Sequence, residues 1–331
     1  MTGCNVDTTL TRARVGDMSF PLGAYPVEEM TPRAGYTMTF EPADGDEDSG
    51  DWEEWPDRYV FDIAITSERV EPLVRHLLSF MPGRVYPILD VMGRDAYREI
   101  DPFVSYELVG LDRFLDTLRR FRGFFFEDGL VGFGAMSEDP FYYAFVDEHK
   151  IVTVRCTVEW KERVESVLKA FDLEEVEEIA GADAAAHEHR SVIVAPDDHP
   201  ELLTFDEILE ELRDEWALVL NVDPDSNQDD EGNDLGVTCW RVLVRADFDQ
   251  DPVVRYIEVL LRATCLGEAE GLARDASDQL FTKADPEPTQ AVIVESDRLI
   301  AEDFVKALQD AGRANPVISP EPEVELARWI P

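Results

Sequence analysis

The stretch Tyr59-Val-Phe-Asp-Ile-Ala-Ile-Thr66 decides the fold class. It alternates as a half-buried β-strand does. Leu73, Val74, Leu77, Leu78 and Met81 then recur at the spacing of one helix face until Pro82-Gly83 stops the pattern. Working outward, strands are expected at 85–91 and 103–109, and a helix at 111–121 with Leu111, Phe114, Leu115, Leu118 and Phe121 on one face. Residues 130–136, 141–146 and 151–157 read as a meander whose last two strands are joined by the polar turn Asp147-Glu148-His149-Lys150. A helix over 158–171 closes the module, and Phe124-Phe-Phe126 is expected to enter the core as a strand.

Beyond this module the signals repeat. A strand at 191–195 precedes a capping box, Thr204 with Glu207 three residues on, opening a helix with Phe205, Ile208, Leu209, Leu212 and Trp216 on one face. Strands at 218–222 and 238–245 flank an acidic loop, and Asp251-Pro252 reads as the cap and first turn of another helix. A strand at 291–295 and a helix ending at Gly312 follow.

The class is therefore α+β, with helices packed on mixed or antiparallel sheets. The expected organisation is an extended acidic arm over 1–57, a first module over 58–171, an acidic linker over 172–190, a second module over 191–315 and a Pro-rich tail over 316–331. Glu71-Pro-Leu-Val-Arg-His76 and Asp251-Pro-Val-Val-Arg-Tyr256 occur in the same order relative to two strand–turn segments. Those segments are Val146-Asp-Glu-His-Lys-Ile-Val152 and Val294-Glu-Ser-Asp-Arg-Leu-Ile300. The parallel suggests a diverged internal duplication with a ferredoxin-like flavour.

Charge limits the classes of function. Seventy-two Asp and Glu oppose 30 Lys and Arg over 331 residues, for a formal charge of -42. Duplex binders gain most of their affinity by neutralising phosphates, so neither nucleic acid nor an anionic membrane surface is an expected partner, whereas a basic protein is. No stretch of about 18 apolar residues occurs, and residues 1–18 lack the apolar run of a secretion signal. A cytoplasmic setting is the resulting expectation. Cys4, Cys156, Cys239 and Cys265 are widely spaced and form no CxxC pair, and Cys156 and Cys239 sit in apolar runs, as small buried hydrophobes do.

Candidate sites are few. Counted from Asp223, the alternate positions 1, 3, 5, 7 and 12 of an acidic loop are Asp223, Asp225, Asn227, Asp229 and Asp234, the oxygen spacing by which a chain wraps Ca²⁺ or Mg²⁺. Gln228 stands where the sharp turn wants Gly, which favours an acidic loop without metal, and no other cofactor is expected. His187-Glu188-His189 is a His-x-His pair that a carboxylate could complete for a transition metal. His199 is nearby, but no Cys or further His supplies a closed set, so the pair reads as a solvated linker, and His149 as an exposed turn residue. Arg113, Arg119, Arg120 and Arg122 read as counter-charges to the acidic segments. Trp52 and Trp55, set in an acidic run, are either anchors for a partner or a staple onto the protein's own surface.

No nucleophile elbow, zinc-protease helix or phosphate loop is present, so no catalytic residue is assigned. The leading expectation is a non-catalytic protein-binding or regulatory module. The alternatives are a divalent-metal-dependent enzyme or Ca²⁺-binding protein using the 223–234 loop, and a salt-adapted structural protein with a generic acidic surface.

The charge yields a first prediction. A compact chain at -42 repels itself, and raising NaCl from 0.1 to 1 M shortens the Debye length from about 10 Å to about 3 Å. The melting temperature should rise across that range in a thermal denaturation series. A flat or falling curve would show that self-repulsion does not limit stability.

Overall fold

The chain was analysed as a computed structural model describing residues 3–43, 55–196, 198–229, 232–248, 251–284, 286, 288–314, 316 and 320–330. Helices and antiparallel sheets are both present, and the chain divides into two compact units, 1–91 with 102–221 and 92–101 with 222–331. Among the described residues no helix is long and apolar enough to cross a membrane.

The first unit is built on one large sheet. From edge to edge its strands are Leu218–Leu220, Ile100–Ser105, Arg84–Met92, Val131–Glu138, Phe141–Val146, Val152–Thr157, Arg58–Ala64 and Gly35–Glu41, with Val109–Gly110 added beside Arg84–Met92. The central meander is as the alternation predicts. Val131, Phe133 and Ala135 face Val91, Leu89 and Pro87 on one side and pair with Val146 and Ala144 on the other, so every second residue enters a single core. Helices Ser67–Leu78, Leu111–Arg120, Lys161–Ala170 and Phe205–Trp216 bury their apolar stripes in that core. Trp216, fully buried, lies 4.9 Å from the Phe114 ring and stacks on Phe125 at 5.7 Å.

Several expectations change. Phe124-Phe-Phe126 is not a strand but part of the short helix Arg122–Phe126, which still buries all three rings. The 1–57 segment is not an extended arm: Asn5–Val6 pairs with Ile193–Val194, Ala24–Pro26 with His187–His189, and Gly35–Glu41 with Arg58–Ala64. Its prolines exclude helix but are tolerated beside short edge strands. Residues 191–221 pack in the first unit, because Trp216 belongs to its core and Leu218–Leu220 extends its sheet. The capping box is formed, with the Thr204 amide donating to Glu207 Oε2 at 2.8 Å and the Glu207 amide to Thr204 Oγ1 at 3.3 Å. The arginines act as counter-charges: Arg113 and Arg120 reach Glu215 at 3.2 and 2.5 Å, and Arg122 pairs with Glu71.

The second unit holds a four-stranded antiparallel sheet in the order Gln290–Leu299, Thr238–Phe248, Asp251–Ala263, Glu323–Ile330. Asp251-Pro252 therefore opens a strand rather than a helix, since the β-branched and aromatic residues that follow favour a pleated surface. Glu71-Pro72 lies within a helix, so the paired landmarks of the expected duplication occupy different structures. Hairpin, helix, strand, helix, strand is also not the ferredoxin-like order. The expected tail supplies an edge strand, Glu323–Ile330. Helix Leu266–Phe281 meets Trp329 through Phe281, while helix Ala301–Asp310 meets Leu260 and Leu326 through Phe304 and Leu308. Leu326 and Trp329 are three residues apart on one strand, so the helices lie on opposite faces of the sheet.

On the Leu260 face a chain of ion pairs crosses all four strands. Arg94 and Arg241 reach Glu295 at 3.0 and 3.1 Å, and Arg241 and Arg328 reach Glu258 at 2.9 and 2.7 Å. Asp297, directly opposite Arg241 in the register, is only 4% exposed. Burial first, then the charges of Glu295, Asp101 and Asp95, raise its pKa to about 7.

That raised pKa sets a pH-dependent cost. Below about pH 4 Asp297 is protonated folded and unfolded and costs nothing; between pH 4 and 7 the unfolded state ionises more readily, and the native state loses stability that does not return at higher pH. Asp297→Asn should therefore stabilise the protein at pH 8 by roughly 2–4 kcal/mol, taking 1.36 kcal/mol per unit as an upper guide, with almost no effect at pH 4. Urea denaturation at both pH values measures this, and an equal effect at both would contradict it.

Candidate metal centre

Residues 147–150 form the hairpin turn that joins Phe141–Val146 to Val152–Thr157. The Lys150 amide donates to the Asp147 carbonyl at 3.1 Å, the Ile151 amide to Asp147 Oδ1 at 2.8 Å, and Lys150 sits at φ 67. This left-handed position, unusual for a residue with a side chain, turns Lys150 inward. Its Nζ donates to the Val131 carbonyl at 2.5 Å, and burial lowers its pKa to about 8. His149, the residue before it, is left half-buried at the turn.

The second contribution comes from the strand His187–His189, which pairs with Ala24–Pro26. Alternate residues of a strand share a face, so His187 and His189 project together, and Glu188 on the other side accepts from the Tyr25 hydroxyl at 2.7 Å. The strand is held by a crossing of three backbones. The Gly23 amide donates to the Glu127 carbonyl at 2.7 Å, the Arg190 amide to the Gly23 carbonyl at 2.8 Å, and the Gly129 amide to the Arg190 carbonyl at 3.2 Å. Gly23 and Gly129 abut so closely that a methyl group on either would overlap the other's backbone. Beneath them the fully buried Asp128 carboxylate accepts from the Leu130 amide at 2.9 Å and from the Ser191 hydroxyl and Val192 amide at 2.8 Å each. Burial raises its pKa against these donors and the charge of Lys150.

These supports bring His149, His187 and His189 together, with ring nitrogens within 4.8 Å of one another and ring centroids 4.7–4.9 Å apart. His187 Nδ1 donates to the Ala185 carbonyl at 2.8 Å and His189 Nδ1 to the Gly129 carbonyl at 2.7 Å. His149 Nδ1 faces Asp147 and Glu148 carboxylates, each at 3.5 Å. His187 and His189 thus spend their Nδ1 protons on carbonyl oxygens, which leaves Nε2 as the lone-pair nitrogen of each. His149 Nε2 and His187 Nε2 lie 3.0 Å apart.

The local charges are uneven. Burial pushes the His149 pKa down, but the Asp147 hydrogen bond and the charges of Asp147, Glu148 and Asp183 outweigh it, and the net shift is upward. His189 moves down, from burial first and then from the neighbouring imidazoles, against the pull of the Gly129 carbonyl. Asp90, paired across the sheet with Gly132, is raised to about 6 by burial and by Glu148. A cation placed among the three imidazoles would act as a Lewis acid on a bound water or carbonyl oxygen.

The sites expected from sequence fare differently. Asn227 is buried, its amide donating to the Gly236 carbonyl at 2.7 Å and its Oδ1 accepting from Arg298 at 3.0 Å, so its ligand oxygen is already committed. Asp223, Asp229 and Asp234 accept from nearby backbone amides in turns of the loop. Among the described residues no three carboxylates from Asp223, Asp225, Asp229 and Asp234 converge within 4.8 Å. Trp55 packs edge-on against Phe141 at 5.1 Å, under the Arg58 guanidinium at 5.4 Å, as a staple does. Trp52 lies outside the described residues. His199, exposed beside Glu201, and His76, edge-on to Phe171, are apart from the cluster. Cys156 is buried and its pKa is pushed up to about 12, which suits a packed hydrophobe rather than a nucleophile.

The histidine cluster was only half visible in sequence. The His-x-His spacing gave two ligands, but the third lies in a turn before it, and only the pairing of residues 187–189 with 24–26 closes the set. The chain matches no protein-family model, no curated protein and no solved structure, so its function is argued from this geometry.

The backbone crossing makes a prediction. Gly129→Ala must push the segment at Gly129 away from that at Gly23 and Ala24, and should destabilise by roughly 1–3 kcal/mol, the usual scale of overpacking. Gly83→Ala, where no atom lies within 4 Å of the added methyl group, should be nearly neutral. Equal effects of the two in urea denaturation would remove the crossing from the account.

Proposed function

We propose that the protein binds a divalent transition-metal ion through Nε2 of His149, His187 and His189. The observation that carries this reading is the convergence of three imidazoles with ring nitrogens within 4.8 Å of one another, His149 Nε2 lying 3.0 Å from the lone-pair Nε2 of His187. Two ring nitrogens lie this close only with a cation or a proton between them. Zinc holds imidazole nitrogens at about 2.0–2.1 Å, which puts tetrahedral donors roughly 3.3 Å apart, close to the spacing here. The surroundings follow the usual pattern of a metal-bound histidine, whose other N–H is held by a carbonyl or carboxylate that fixes the ring.

Three imidazoles without a thiolate suit Zn²⁺, Cu²⁺ or Ni²⁺, while Ca²⁺ and Mg²⁺ prefer oxygen donors. The competing account is a proton shared by His149 and His187, which the upward shift of His149 favours. A basic protein partner remains compatible with the charge of -42, but of the two tryptophans expected to anchor it, Trp55 lies against Phe141.

Competition titration of the metal-free chain against a chromophoric chelator separates the two accounts. One Zn²⁺ should bind per chain, and His187→Ala with His189→Ala should weaken binding at least 100-fold while Ca²⁺ produces no competition. Binding confined to the folded state should also raise stability by about 2.7 kcal/mol when free Zn²⁺ is 100 times Kd. Equal Zn²⁺ affinity in the wild type and the double variant would overturn the reading, and no uptake by either would assign the cluster to a shared proton.

A further inference from the structure

We infer that the ion held by the three histidines keeps one coordination position for a small uncharged donor, water at rest, and takes it in preference to an anion. This deepens the metal reading above and rests on it. Zinc-type ions favour four ligands, and a centre with three protein ligands leaves the fourth to solvent or to an exogenous molecule. Asp147 and Glu148 do not supply that ligand, because both approach His149 from its Nδ1 side, whereas its Nε2 faces His187. Among the described residues no carboxylate or thiolate joins the three imidazoles within 4.8 Å. All three rings are partly exposed rather than sealed, the His149 side chain by 13%.

The preference for an uncharged donor follows from the charges around the site. In a neutral tri-imidazole centre the ion's two positive charges attract anions. Here Asp147, Glu148 and Asp183 act on His149, and Asp90 lies within the field of Glu148. Of the cations adjoining the ligands in sequence, Lys150 points into the core toward Val131 and Arg190 donates to the Leu22 carbonyl at 3.0 Å. The carboxylates offset the ion's charge, and the chain's overall field repels approaching anions. Water, a neutral amine or an amide carbonyl bears neither penalty.

The test uses the full-length protein loaded with Co²⁺, whose visible bands report the ligand set. N-methylimidazole serves as the uncharged probe and azide as the anion, at low ionic strength, with cobalt content checked after dialysis. N-methylimidazole should change the bands saturably, and azide should need at least a tenfold higher concentration. Asp183→Asn removes an exposed charge without removing a ligand, and should strengthen azide binding about twofold while leaving N-methylimidazole unchanged. Bands insensitive to both probes would mean that the protein closes the fourth position, and would overturn the inference with the metal reading intact. Azide binding as tight as that of N-methylimidazole and unmoved by Asp183→Asn would overturn the charge argument. Failure to take up Co²⁺ at all would overturn both the inference and the metal reading.

Discussion

A buried carboxylate organises the region on which the proposed function depends. Asp128 has no solvent exposure, and an ionised carboxylate in that setting is costly unless its oxygens are satisfied. Three donors meet it, and two of them, the Ser191 hydroxyl and Val192 amide, come from the segment just after the His-x-His strand. The same loop presents the Gly129 carbonyl to His189 and leads into Val131, whose carbonyl receives Lys150. One buried charge therefore fixes the strand that carries two histidines and the partner of the lysine next to the third. The histidines converge because their supports do.

Local signals were legible where local interactions decide the structure. The alternation at 59–66, the meander and the Thr204–Glu207 capping box each depend on neighbours a few residues away. Asp251-Pro252 misled because an acid-Pro start is shared by helices and edge strands, and what decided it was pairing with Thr238–Phe248 on one side and Glu323–Ile330 on the other. Helix Leu266–Phe281 escaped notice since its buried stripe is largely Ala269, Ala273 and Ser277, residues too small to mark an apolar face. The prolines of the first 57 residues exclude helix, and among the described residues the strands formed instead have partners more than a hundred residues away in two of four pairings. The histidine cluster is hidden in the sequence for the same reason, as its third imidazole, His149, comes from a separate hairpin.

The acidity of the chain also takes a more specific form in the folded protein. Many arginines are paired with carboxylates, as Arg120 is with Glu211 and Glu215, or Arg298 with the buried Asp95 at 2.9 Å. Exposed pairs of this kind contribute little to stability, whereas the buried Arg298–Asp95 pair would leave an uncompensated charge if one partner were removed. Around the histidines the balance is reversed. Asp147 and Glu148 collect there beside the buried Lys150, an arrangement that suits a cation.

The central claim is that three imidazole nitrogens form the inner shell of a bound ion. X-ray absorption at the zinc edge of the protein loaded with one equivalent of Zn²⁺ reads that shell directly. The account predicts light-atom donors at about 2.0–2.1 Å with the outer-shell scattering of three imidazole rings. A shell of oxygen donors without imidazole scattering, or one containing sulfur, would contradict it.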